Sequence, residues 1–260
     1  MLYYWFSLPV VGIFAVLIAV YGTIAVVIHL VTFRSPLRSA CASLAGIAAP
    51  MVGVFGLMFG LLTGFLAAEI SARNSQAENA VSGETNALYE VRTLSVASAS
   101  EMAGVRDTLR EFVRSELRDE WPKMSQAGRS AATETAFGNL LREVADPKIA
   151  RDSGAAVHVA LLGAVSRVGV ARSQRLAISN DTTNTVKWVT VLVLAMITQI
   201  AIGLVHVEKP RAQIATLTLF TSSLVVALGL IAMQEWPFIG PLQIRPTPLQ
   251  EVLDLMSKLP

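Results

Sequence analysis

The stretch GVFGLMFGLLTGFLAAE, residues 53–69, sets Gly53, Gly56, Gly60 and Gly64 among Phe55, Phe59 and Thr63 in an otherwise apolar run. Small residues four apart let helix backbones approach closely in lipid. A glycine ridge flanked by aromatic rings also suits a constriction that closes a water path by dewetting. Polar groups in apolar surroundings form a second set: Thr198 and Gln199 in one run, and Thr218, Thr221, Ser222 and Ser223 in another. An amide in hydrocarbon is costly unless paired. These side chains therefore read either as interhelical hydrogen bonds or as the lining of an ion path. A third candidate is Glu84 in Glu84-Thr85-Asn86-Ala87-Leu88, which falls on an apolar seam. A carboxylate there needs a cation, such as an arginine of the same region, or serves as a polar contact that fixes register.

Signatures of enzyme chemistry are missing. There is no Gly-rich phosphate loop, no HExxH and no Gly-x-Ser-x-Gly elbow. His29, His158 and His206 stand far apart, and Cys41 is the single cysteine. Neither a metal site, a cofactor nor an intrachain disulfide is expected. A net charge of +2 gives no reason to expect a nucleic-acid partner.

The elements that must position these residues are membrane helices. The chain is 53% hydrophobic and 15% charged, with a mean hydropathy of +0.55. Asp, Glu, Lys and Arg are absent from residues 1–33, 39–68, 188–207 and 212–234. A bilayer core needs about 20 apolar helical residues, so four spans are predicted, at about 9–33, 42–70, 186–207 and 214–234. Tyr3, Tyr4 and Trp5, then Trp188 and Trp236, flank them as interfacial aromatics do. Pro50 is expected to kink the second span. The first run is too long for a signal peptide and lacks a basic start, so it is expected to be retained. The short loops carry Arg34 and Arg38, then Lys209 and Arg211 against Glu208. By the positive-inside rule those loops are cytoplasmic, placing the termini and residues 69–187 on the other side, although Arg167, Arg172 and Arg175 weigh against it.

Residues 69–187 hold 15 acidic and 15 basic residues. Ala77, Val81, Leu88, Val91, Met102, Val105, Leu109 and Phe112 alternate at spacings of four and three, a seam for helix-on-helix packing. Glu84, Ser95 and Ser98 fall on it. The polar run near Ser95–Ser100 and Gly104 predict a bend, and Trp121-Pro122 a helix end. A second helix is predicted over about 125–145, closed by Asp146-Pro147. A third returns through Val157, Leu161, Val165 and Val168 to Asn180-Asp181, a candidate cap for span three. The fold expected is all-α: transmembrane helices 1 and 2 in residues 1–70, an extramembrane helical hairpin or bundle in 71–184, and transmembrane helices 3 and 4 in 185–235. An interfacial tail follows in 236–260, with a short amphipathic helix from Pro248 to Lys258.

Gly60-Leu61-Leu62-x-Gly64-Phe65, the Glu84–Leu88 motif and Glu235-Trp236-Pro237-Phe238-Ile239-Gly240-Pro241-Leu242 followed by Arg245-Pro246 occur in this order along the chain. The ordered set resembles the bestrophin-like family of bacterial four-span membrane proteins. Members show Gly-Leu-Leu-x-Gly-Phe in the second span, then Glu-Ala-Asn-Ala-Leu, then an Arg-Pro-Phe-x-Gly type segment after the last span. Here Thr85 replaces a small residue and Trp236 a charged one. The Arg-Phe-Pro-Asn-Pro type signature of true bestrophins is absent, so calcium gating is not implied. The resemblance implies Glu84, Asn86, Trp236, Pro237, Phe238 and Gly240 as family-motif positions. It also implies a multi-pass protein of the bacterial inner membrane and a homo-oligomer, a pentamer by analogy, around an anion-permeable pore. On that reading span two lines the pore, with Phe55, Phe59 and Thr63 as constriction candidates, and no catalysis is expected. The competing reading is a structural or accessory protein that packs its glycine ridge against partner membrane proteins without conducting ions.

Overall fold

The computed structural model describes residues 5–6, 8–36, 38–97, 102–126, 128–181 and 185–258. Tyr3, Tyr4 and Ser98 lie outside them. The described residues form helices and no strand: α1 (Val10–Arg34), α2 (Arg38–Ala97), α3 (Ala103–Ser115), a π-helical turn (Glu116–Glu120), a 3-10 turn (Trp121–Gln126), α4 (Ala131–Val144), α5 (Pro147–Ser153), α6 (Ala155–Asn180), α7 (Thr185–Val205), α8 (Pro210–Ala232) and α9 (Thr247–Ser257). Two compact units result. One holds Met1–Ala72, Thr183–Trp236 and Gly240–Leu242; the other holds Arg73–Thr182, Pro237–Ile239 and Gln243–Pro260. The 60-residue α2 belongs to both and passes through Pro50 without interruption.

In the membrane unit α1, α7 and α8 pack on one another. Their charge-free lengths let each bury an apolar stripe while the remaining surface stays apolar for lipid. Ile13, Leu17, Tyr21, Val191, Ala195, Leu224 and Leu228 make the core, joined by Leu66 and Ile70 of α2. Trp188 is only 1% exposed. It packs on Trp5 and Phe6 at 5.6 and 5.0 Å, so this aromatic group is internal rather than a belt facing the headgroups. Two glycines create the close approaches. A Cβ on Gly229 would run into the Phe14 ring, and one on Gly203 into Ile28.

In the head unit the alternating seam is buried throughout: Ala77, Val81, Leu88, Val91, Met102, Val105, Leu109 and Phe112 are at most 3% exposed. Leu140, Val144, Leu161, Val165 and Val168 pack against most of it, and Leu249, Val252 and Met256 dock α9 there too. The second head helix starts at Ala131 rather than near residue 125. Ser130 caps it, and Glu116–Gln126 is taken up by the π and 3-10 turns. Asp146 caps α5, accepting from the Lys148 N–H at 2.8 Å, with Pro147 in the first turn. Gly154 joins α5 to α6 at φ +88°, a conformation that side-chain-bearing residues rarely adopt. Asp181 closes α6, its N–H donating to Ala177 O and Ile178 O, so it ends that helix rather than starting the next.

Among the described residues, five helices are long and apolar enough to cross a membrane, one of them being α6. Its composition is explained by the head: Leu161, Ala164, Val165 and Val168 line that core, and Arg172 and Arg175 are buried beside them. The four spans are α1, the first part of α2, α7 and α8.

Candidate functional site

Along the membrane part of α2 the side chains separate into two faces. Phe55, Phe59, Leu62, Leu66 and Ile70 share one face at helical spacing. Phe59 meets the Phe220 ring at 6.0 Å. Phe55 lines an apolar groove of about 370 Å³ with Met51, Ile197, Ile200 and Leu204. Thr63 sits at the edge of this face with its hydroxyl buried and without a hydrogen-bond partner. The opposite face carries the glycines. A Cβ added at Gly53, Gly56, Gly60 or Gly64 meets nothing within 4 Å. Beside them Leu57, Leu61 and Phe65, four apart, are 74, 55 and 62% exposed. Within one chain the ridge therefore packs against nothing. The Leu57-Leu61-Phe65 stripe went unnoticed in the sequence, although its i, i+4, i+8 spacing next to the glycines was there to be read.

The polar residues at depth are mostly tied up. Gln199 donates from Nε2 to Tyr21 O at 3.0 Å and to Thr221 Oγ1 at 2.8 Å, linking α1, α7 and α8, while its Oε1 is buried with no donor. Thr198 bonds back to Leu194 O at 2.8 Å. Thr218 and Ser222 lie on an exposed face of α8. Near the other end of the unit His29 Nδ1 is 2.8 Å from Gln213 Oε1, an acceptor, so Nδ1 is the donor. Gln213 Nε2 donates to Gly203 O. Trp188 donates its indole N–H to the buried Glu235 at 2.9 Å.

The head assembles a second polar centre. Arg175, fully buried, donates to both Glu84 oxygens at 2.6 and 3.2 Å. It also donates to Glu116 Oε1 at 2.8 Å and Glu120 Oε1 at 3.1 Å, and lies 5.3 Å from the Trp121 ring centre. Arg172 grips Glu120 with two N–H groups at 3.0 and 2.5 Å and reaches Glu134 at 3.1 Å. Burial opposes charge on Glu116, Glu120, Arg172 and Arg175. For Glu120 the arginine hydrogen bonds and charges outweigh it, and its carboxyl is held below the ordinary range. For Arg172 and Arg175 burial pulls down, but the carboxylates win and both guanidinium groups are held charged. Glu116 goes the other way: burial first, then the Glu84 charge, push its carboxyl well up. Of this cluster the sequence singled out Glu84. Arg172, Arg175, Glu116 and Glu120 were readable only as i, i+3 and i, i+4 pairs on otherwise apolar stripes.

The chain matches the Bestrophin-like domain family over residues 18–249. It belongs to the bestrophin-like family. A bacterial bestrophin homologue from Klebsiella pneumoniae has the same fold, with a TM-score of 0.68 at 13% identity over 92% of this chain and 99% of that one. A single-substitution variant of the homologue gives 0.72 at 12% identity, over 93% and 99%. No curated protein matches the chain.

This bestrophin-like chain is thus a helical membrane protein of channel type. Its motif residues have distinct placements. Gly60, Leu61 and Gly64 lie on the uncovered face of α2 and Leu62 on the packed one, while Phe65, 62% exposed, sits at the border and lines a groove with Leu62, Val186 and Thr190. Glu84 anchors the ion cluster, and Asn86 is exposed. Trp236 packs against the membrane core. Phe238 stacks edge-on with Trp121 at 5.8 Å. Pro237 begins a turn closed by Ile244 N–H donating to Pro237 O at 2.7 Å, and Gly240 takes φ +94° within that segment.

Proposed function

We propose that this bestrophin-like protein is a homo-oligomeric channel for small anions in the bacterial inner membrane, with α2 lining the pore. The observation that carries this reading is the uncovered face of α2. Of the four spans its apolar window is the least buried, at 11%, and that face offers glycine backbone and a leucine–phenylalanine stripe rather than charge. Absence of charge at depth suits passive conduction rather than a coupled pump. Copies of α2 around an axis would place Leu57, Leu61 and Phe65 toward the lumen as rings that gate by dewetting. Phe55 and Phe59, the candidates named from sequence, pack against their own subunit and would shape the wall. A non-enzymatic role is part of the proposal.

Planar bilayers under a chloride gradient provide the test. Anion-selective current that grows in Leu61→Ala and Phe65→Ala, and much less in Phe55→Ala and Phe59→Ala, supports the uncovered face as the lumen. Growth in the second pair instead would return the constriction to Phe55 and Phe59. Silence from correctly inserted protein favours the accessory role, in which a partner membrane protein covers the same apolar face. The basic short loops favour a head outside the cytoplasm; cleavage of the head by protease added to sealed inverted vesicles would reverse that orientation.

A further inference from the structure

Among the described residues, the ion cluster around Arg175 holds more buried carboxylates than cations. Glu84, Glu116 and Glu120 have no exposed surface, and only Arg175 and Arg172, at 0 and 5% exposure, share their site. The donors that reach Glu116 fall on Oε1, from Arg175 at 2.8 Å and from Arg172 at 3.9 Å. Its other oxygen, Oε2, is buried and receives no hydrogen bond, while Glu84 Oε1 accepts from the same Arg175 Nη2 that donates to Glu116 Oε1, which sets the two carboxyl groups side by side. Neighbouring carboxylates away from water that outnumber the cations beside them do not all stay ionised. A proton on Glu116 donated to Glu84 satisfies both groups and makes the site neutral.

We propose that the head holds one buried proton between Glu116 and Glu84, and that losing it at alkaline pH releases the Glu116–Met124 segment from α6. The groups facing Glu116 are Glu84 from α2, Arg175 and Arg172 from α6, and Glu120 from the next turn of its own segment. Glu134 of α4 is reached only through Arg172. The segment that would let go is a π-helical turn running into a 3-10 turn. Such irregular turns are held by their surroundings rather than by an unbroken backbone ladder. Its polar ties to α6 are the Arg175 and Arg172 bonds to Glu116 and Glu120 and the Arg175 contact with Met124 Sδ at 2.9 Å, beside which Trp121 and Met124 pack with Ile178. Without the proton the site carries a buried net negative charge, and the Glu84–Glu116 contact turns repulsive.

The linkage has a definite sign. The Glu116 carboxyl, pushed up by burial, keeps its proton in the folded head after the unfolded chain has lost its own. Its contribution is complete below about pH 4.5, the ordinary value, and is lost as pH rises toward the folded value. Glu120, held low, acts oppositely and weakens the head only as pH falls below its ordinary value.

The test is infrared titration of the full-length protein in detergent, followed through the carboxylic C=O stretch, with thermal unfolding alongside. The wild type is expected to show a protonated-carboxyl band at neutral pH that disappears on alkaline titration. The band should be missing from Glu116→Gln and from Glu84→Gln, since removing either carboxylate balances the site without a proton. Wild-type Tm should fall by about 3–5 °C per pH unit between the two pKa values, and Glu116→Gln should be flat there. A wild type without the band at neutral pH, or a folded Glu116→Gln that keeps both band and slope, overturns the proposal. Should a variant not fold, the wild-type titration alone still decides whether a buried carboxyl holds a proton.

Discussion

Arg175 shows how much a single side chain carries in the head. Its guanidinium serves Glu84, Glu116 and Glu120 at once, with donors no more than 3.2 Å from each. Such buried clusters are weak evidence of net stabilisation, because desolvation offsets much of the Coulombic gain. Breaking one is different, since it strands charges in low dielectric. Arg175→Met should therefore lower head stability by about 3–5 kcal/mol, read by chemical denaturation in detergent. Arg175→Lys should recover little of it, because an ammonium cannot reproduce the planar fork that meets both Glu84 oxygens. The pKa directions agree with the geometry: burial pushes the Glu116 carboxyl up, whereas for Glu120 and Arg175 the opposite charges outweigh burial.

At the scale of elements, the glycines of the membrane unit do two separate jobs. Gly203 and Gly229 sit at close approaches between helices of one chain, against Ile28 and Phe14. The α2 glycines touch nothing in their own chain. Gly229→Leu should overpack α1 against α8 and cost roughly 1–3 kcal/mol in thermal or denaturant unfolding. Gly60→Leu should leave the isolated subunit's stability nearly unchanged. The glycine pattern was plain in the sequence, but spacing shows that a close approach is possible without showing which helix makes it. Helix boundaries were legible where a cap or charge marks them, as at Arg34 and Asp146-Pro147. They were displaced around residues 116–130, because the π turn keeps the apolar register going after the α-helix has ended.

For the whole molecule, an uncovered apolar α2 face in a channel-type family makes assembly the central expectation. The purified protein should run in mild detergent at a multiple of its 27.8 kDa chain mass, measured by native mass spectrometry. Gly60→Leu, harmless within one chain, should shift that distribution toward the monomer or a looser assembly if copies meet through the ridge. An unchanged mass in that variant would put the copy-to-copy contact on another surface, and a chloride current reduced at the same time would leave the ridge to the lumen.

The sequence by itself determined the class of the protein. Charge-free runs of sufficient length can only be lipid-facing or buried helices, so the membrane spans followed from composition and length. The four-three seam from Ala77 to Phe112 likewise settled which side of the head helices is internal, because helical periodicity is a local property. What periodicity leaves open is the identity of the opposing surface. That Glu84 meets Arg175 across 91 positions, that Phe59 turns toward Phe220, and that the ridge faces away from its own chain were decided only when distant helices packed. The same holds for α6, apolar enough to be a span yet held in the head by its buried arginines. Their carboxylate partners come from three separate stretches of chain, at Glu84, Glu116–Glu120 and Glu134, and only tertiary packing brings those together.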